Sequence, residues 1–81
     1  MVTPESIRQS LEAGLDCRHV EVSGDGQHFE ALIVSPAFAG LSRVRQHQLV
    51  YAALGDRMRE EIHALSMRTL TPEQWAQTPR G

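Results

Sequence analysis

The hydrophobic positions of the first half of the chain follow two periods, one of nearly four residues and one of two. Ile7, Leu11 and Leu15 recur at four-residue steps, which predicts an amphipathic helix. Apolar and polar residues then alternate over 19–23 and again over 27–35, which is the period of β-strands. The chain is therefore expected to begin with a helix followed by two strands.

A glycine-rich triplet separates the two predicted strands. The sequence Gly24-Asp25-Gly26 supplies residues that tolerate positive φ angles, so it favours a tight reversal and an antiparallel hairpin. The alternation in the second strand places Phe29, Ala31 and Ile33 on one face. The opposite face then carries His28, Glu30, Leu32 and Val34. The first face has the composition of a core surface.

The second half of the chain predicts a long helix, a third strand and a short helix. Ser42 is placed to cap a helix that begins at Arg43. The apolar spacing gives this helix an inward face of Val44, His47, Val50, Tyr51, Leu54 and Met58. A third strand is expected over 62–68, and a capping box at 71–74 starts a last helix that Trp75 docks onto the body.

The predicted order is α-β-β-α-β-α, an α+β fold in a single domain over residues 1–81 with a frayed tail from about residue 77. A helix separates strands two and three, so these strands should be parallel and the sheet three-stranded and mixed, with the helices packed on one face.

This topology brings two histidines to one end of the sheet. His28 begins strand two and His63 begins strand three, and neighbouring parallel strands are about 4.8 Å apart. Two imidazoles at that spacing can bind one metal. His63, however, shares its parity with the core residues Leu65 and Met67, whereas His28 belongs to the more polar face. The pattern therefore permits a shared metal site, and it equally permits two solvated histidines.

Composition narrows the classes of function. The chain has eight basic residues, all of them Arg, and ten acidic residues, which gives a net charge of −2. It therefore lacks the overall basic character of most nucleic-acid-binding domains. The one cysteine, Cys17, can form neither an internal disulfide nor a cysteine-rich metal site. The sequence contains no long apolar stretch or basic leader segment. We therefore predict a soluble, cytoplasmic protein without membrane association.

Three segments resemble the BolA-like family, especially its IbaG-type bacterial members. They are SGDGQHF at 23–29, FAGLSRVRQHQLVY at 38–51 and IHALSMRTLTPEQW at 62–75, and they occur in the order and spacing of that family. The resemblance covers nearly the whole chain. It implies a small fold similar to a class II KH domain.

The resemblance also implies a function in iron–sulfur trafficking and iron homeostasis. Such proteins are partners of monothiol, CGFS-type glutaredoxins and share a bridging 2Fe–2S cluster with the glutaredoxin and glutathione. His63 matches the invariant histidine of the family, and His28 matches the second ligand in the hairpin loop. Because a protonated imidazole cannot bind iron, cluster loss is expected on acidification. The implied partner surface comprises Gly24, Asp25, Gly26, His28, His63 and Ala64.

Other functions remain open at this stage. The main alternative is a BolA-type transcriptional regulator that contacts DNA through the helix starting at Arg43, with Arg43, Arg45 and His47 as the contacts; the net charge opposes it. A glutaredoxin adaptor without metal, and a homodimer, are further alternatives. The sequence shows no nucleophile–base pair, so we predict a non-enzymatic protein.

Overall fold

The computed structural model describes residues 2–56, 62 and 64–79 of the chain. Its elements are α1 (Pro4–Gly14), β1 (His19–Gly24), β2 (His28–Val34), a short 3₁₀ turn (Pro36–Phe38), α2 (Arg43–Leu54), β3 (Ala64–Leu70) and α3 (Pro72–Gln77). This order confirms the predicted α-β-β-α-β-α arrangement. The third strand ends two residues later than the predicted 62–68, because its pairing with β2 continues to Leu70, and the predicted position 63 lies outside the described residues.

Side-chain caps define the starts of the first and last helices. Thr3 and Ser6 form a reciprocal capping box at α1, in which the Ser6 backbone N–H donates to Thr3 Oγ1 at 3.1 Å. Thr71 and Gln74 form the predicted box at α3, with the Thr71 N–H donating to Gln74 Oε1 at 2.9 Å. These contacts satisfy backbone donors that the helix itself leaves unpaired.

Among the described residues, no helix is long and apolar enough to cross a bilayer.

The sheet has the strand order β1-β2-β3 and is mixed, as predicted. β1 runs antiparallel to β2, with His19 opposite Val34 and Gly24 opposite Phe29. β2 runs parallel to β3, with His28 opposite Ala64 at one end and Val34 opposite Leu70 at the other. β2 is therefore the central strand, and β3 lies at an outer edge.

The core lies between one face of the sheet and the helices α1 and α2. The predicted inward face of β2, which includes Phe29 and Ile33, is buried. It packs in one cluster with Ile7 and Leu11 of α1 and with residues of α2. Burial of this apolar area is the main favourable contribution to folding in a domain of this size.

The predicted inward face of α2 is partly wrong. Val50 and Leu54 are buried as expected, but Val44 is 67% exposed and Tyr51 is 42% exposed. Leu49 and Ala53, which the sequence analysis left out, pack on the core instead. Helix α2 carries apolar residues on two sides, so its pattern alone could not select the side that meets the sheet. Met58, assigned to the same face, lies outside the described residues.

Trp75 docks α3, as predicted. Its indole ring stacks on the imidazole of His19 with ring centroids 4.7 Å apart and an interplanar angle of 18°. His19 Nε2 also lies 2.5 Å from Glu21 Oε2, two residues along β1. This spacing places His19 on the sheet face opposite the core, so α3 contacts the face that α1 and α2 leave uncovered. The predicted packing on one face therefore holds for α1 and α2 and differs for α3, because Trp75 stacks on His19.

Candidate metal and partner site

The hairpin turn holds the start of β2 through one carboxylate. Asp25 Oδ1 accepts hydrogen bonds from the backbone N–H groups of Gln27 and His28, both at 2.9 Å. The backbone N–H of Asp25 donates in return to the carbonyl of His28 at 3.2 Å. Asp25 thus fixes the backbone of His28 from both sides. The sequence predicts Asp25 in the turn, but the contact with the backbone of His28 was not predicted. Aspartate side chains often accept hydrogen bonds from backbone N–H groups two or three residues ahead, and this preference could have indicated the contact.

These hydrogen bonds also keep the turn anionic. Donation from the N–H of His28, and then from that of Gln27, lowers the pKa of Asp25 below its ordinary value. The exposed carboxylate is therefore ionised at neutral pH next to the His28 side chain. It is suited to a partner with cationic or N–H groups and unsuited to a phosphate.

The two glycines of the turn are required for different reasons. Gly26 has a φ of +97°, which side-chain-bearing residues rarely adopt. The positive φ that we also predicted for Gly24 is not present. Instead, a Cβ at Gly24 would lie 2.5 Å from both the carbonyl oxygen of His28 and Cδ1 of Phe29. Gly24 is required by the close approach of β2.

His28 lies exposed at the end of the sheet. Its imidazole ring makes no hydrogen bond with any residue that the structure describes. The register places His28 opposite Ala64, the first residue of β3. His63 precedes Ala64 in the sequence and lies outside the described residues, so its role as a second ligand stays a prediction.

A complete metal site is not found in the described part of the chain. There, no group of three or more His, Cys, Asp or Glu side chains could hold a metal ion. Cys17 is half-buried, its Sγ lies 3.6 Å from the carbonyl oxygen of Leu11, and burial raises the pKa of the thiol. A neutral, partly enclosed thiol is a poor metal ligand.

The residues predicted for nucleic-acid contact divide into two groups. Arg43 and His47 line a cleft between α2 and β3, together with Arg68. Arg45 is exposed on the first turn of α2 but does not line this cleft. The cleft borders the end of β3 near Leu70, whereas His28 pairs with the opposite end of that strand. The two sets of candidate residues are thus separate sites.

Comparison with known proteins agrees with this architecture. The model of the family described as BolA-like protein matches residues 2–74. The acid stress protein IbaG of Escherichia coli strain K12 is 41% identical over 71 residues, which cover 86% of this chain and 84% of that protein.

Solved structures give the same answer. A BolA protein homologue from Coxiella burnetii is 44% identical, with a TM-score of 0.81 over 94% of this chain and 99% of that one. The BolA domain of SufE1 from Arabidopsis thaliana is 36% identical, with a TM-score of 0.78 over 88% of this chain and 93% of that one. Sequence and fold therefore agree that this chain belongs to the BolA-like family.

Proposed function

We propose that this protein is a non-enzymatic iron–sulfur trafficking protein that binds a monothiol glutaredoxin and shares a bridging 2Fe–2S cluster with it. His28 and His63 are the ligands that this chain contributes. The observation that carries the proposal is the pairing of His28 with Ala64, which follows His63 in the sequence, at one end of the parallel strand pair.

The surroundings of His28 suit a ligand to a group held between two proteins. Its ring is exposed, and its backbone is held by Asp25 and by the ladder with β3. A side chain on a fixed backbone reaches a partner at a smaller entropic cost than one on a mobile loop.

The donor chemistry also fits. A 2Fe–2S cluster needs four ligands, and a chain with a single, partly buried cysteine cannot provide them as thiolates. Two neutral imidazoles can ligate one iron, and the partner's cysteine with a glutathione thiolate can ligate the other. When bound, such a cluster provides mixed nitrogen and sulfur ligation, which raises the reduction potential relative to that of all-thiolate clusters.

Family membership supports the same general role. The BolA-like family, with relatives such as the BolA domain of SufE1, fits a function in iron–sulfur and iron homeostasis. The glutaredoxin, the cluster and the two ligands are our inference from the site. DNA binding through α2 is the less favoured alternative, because Arg43 and Arg45 lie in a chain of net charge −2.

Reconstitution with a glutaredoxin tests the proposal. The chain is mixed with a monothiol glutaredoxin, iron, sulfide and glutathione, and the complex is followed by size-exclusion chromatography and visible absorption and circular dichroism. We expect a heterodimer whose cluster spectrum differs from that of the glutaredoxin alone. His28→Ala and His63→Ala should each remove this difference, because each deletes one imidazole ligand.

A histidine elsewhere on the sheet supplies the control. His19 lies at the other end of β1 and β2, where it pairs with Val34, so His19→Gln should leave the spectrum of the heterodimer unchanged. A heterodimer with the same spectrum in wild type, His28→Ala and His63→Ala would show that the chain is an adaptor without ligand function. Absence of any heterodimer would overturn the proposal as a whole.

A further inference from the structure

A second candidate site lies at the opposite end of β3 from His28. A cleft with a volume of about 500 Å³ opens between α2, the outer edge of β3 and α3. Its polar lining residues are Arg43, Gln46, His47, Arg68, Thr69 and Gln74. We refer to it as the α2–β3 cleft. Its volume falls in the range of small-molecule sites in proteins.

Gln46 makes the inner wall of the cleft rigid. Its Oε1 accepts a hydrogen bond from Thr69 Oγ1 at 2.5 Å, which ties α2 to β3. Its Nε2 donates to the carbonyl oxygens of Phe38 and Leu41, at 3.1 and 3.2 Å. With the amide fully used in this way, Gln46 shapes the cleft and leaves ligand binding to its neighbours.

The remaining polar side chains of the cleft determine the kind of ligand that it suits. Arg43 and Arg68 form no ion pair with any residue that the structure describes, and no carboxylate belongs to the lining. His47, one turn after Arg43, adds an imidazole to the same wall. From α3, Gln74 uses Oε1 in its capping box, and its Nε2 has no partner among the described residues. The available side chains are thus mainly hydrogen-bond donors, two of them permanently charged.

We propose that the α2–β3 cleft binds the phosphate group of a phosphorylated small molecule through Arg43 and Arg68. A guanidinium matches phosphate with two parallel N–H donors, which favours arginine for this anion. The cleft also reaches Leu70, the last residue of β3. The end of β3 near Leu70 lies roughly 20 Å from its start opposite His28, so this site does not depend on the cluster proposal.

Titration with inorganic phosphate tests the inference. Amide chemical shifts of the ¹⁵N-labelled full chain are followed while sodium phosphate is added at constant ionic strength. A parallel titration with sodium chloride is the reference for non-specific salt effects. We expect saturable shifts confined to residues around the cleft. Arg43→Gln and Arg68→Gln should each weaken phosphate binding about tenfold, because each removes one charge-assisted contact. Arg45→Gln, which removes the same charge from the same helix outside the cleft, should leave the affinity unchanged.

Three outcomes would overturn the proposal. The first is an equal loss of affinity in Arg45→Gln, which would indicate general charge attraction. The second is the absence of saturable shifts at the cleft in wild type, with circular dichroism showing folded protein. The third comes from a parallel titration with a duplex DNA oligonucleotide: cleft shifts at lower concentrations of duplex than of phosphate would assign these arginines to nucleic acid.

Discussion

At the scale of single residues, three neighbours in the hairpin turn hold His28 by different physical means. The Asp25 carboxylate accepts the N–H of His28, Gly26 provides a φ of +97°, and Gly24 leaves space for the carbonyl of His28. Asp25 acts through a hydrogen bond, Gly26 through its backbone conformation and Gly24 through its lack of a side chain. The position of the candidate ligand therefore depends on small residues as much as on the histidine itself.

Gly24→Ala is expected to destabilise the fold. The added Cβ would lie 2.5 Å from the carbonyl oxygen of His28, and relief of this clash requires a backbone shift that costs about 1–3 kcal/mol of unfolding free energy. Urea denaturation measures the loss. Ser23→Ala, at the exposed neighbouring position, should change the unfolding free energy by less than about 0.5 kcal/mol. Equal stability of the two variants would contradict the contact at Gly24.

Cys17 should react slowly with alkylating reagents. Burial raises the pKa of its thiol, so the reactive thiolate fraction in the folded protein is smaller than in a free cysteine at the same pH. Alkylation by iodoacetamide, followed by mass spectrometry across a pH series, should keep accelerating at pH values where the urea-unfolded chain has reached its plateau. A plateau at the same pH in both states would argue against a buried thiol.

At the scale of elements, α2 serves two surfaces at once. Val50 and Leu54 pack against the sheet, while Arg43 and His47 line the α2–β3 cleft. Gln46 lies between these surfaces and links the helix to Thr69 of β3. Packing of the helix on the core thus also positions the cationic side chains of the cleft.

The two valines of α2 test the observed orientation of the helix. Val50→Ala removes methyl groups from a fully buried side chain and should lower the unfolding free energy by about 1–3 kcal/mol. Val44→Ala is the same substitution in the same helix at a position that is 67% exposed, so its effect should stay within about 0.5 kcal/mol. Thermal or urea unfolding compares them. A loss at Val44 as large as that at Val50 would support the inward face predicted from the sequence, which includes both valines.

At the scale of the whole molecule, the parallel strands β2 and β3 carry a different candidate site at each end. His28 and the anionic turn lie at the start of the pair, and the cationic cleft lies at its end. Among the described residues, the turn carries the Asp25 carboxylate and the cleft carries two guanidinium groups, so the two ends favour ligands of opposite charge.

The two ends should act independently. Residues separated by more than about 10 Å without shared partners usually show additive effects. His28→Ala should therefore leave the affinity for phosphate unchanged, and Arg43→Gln should leave glutaredoxin binding unchanged. In the double variant, the free energy of phosphate binding should match that of Arg43→Gln alone to within about 0.5 kcal/mol, and glutaredoxin binding should match that of His28→Ala alone. A clear deviation from additivity, measured by the same two titrations, would show that the ends are coupled.

The sequence by itself determined the order of the elements, their caps and the pairing of the strands. These features arise from local signals. Pro72 and the Thr71–Gln74 capping box start a helix whatever its tertiary surroundings. A helix between two neighbouring strands favours a parallel pair. The same local signals, joined to three family-like segments, identified the family before any fold was known.

Tertiary structure alone decided which side of α2 is buried, why Gly24 is a glycine and how Arg68 joins Arg43 in one cleft. The side of a helix that meets a sheet is chosen by packing, and α2 offers apolar residues on two sides. Gly24 meets Phe29 across a hairpin, and Arg68 is 25 positions from Arg43 along the chain (68 − 43). Such contacts are set by register and by distances in space, which a linear pattern of hydrophobic and polar residues does not encode.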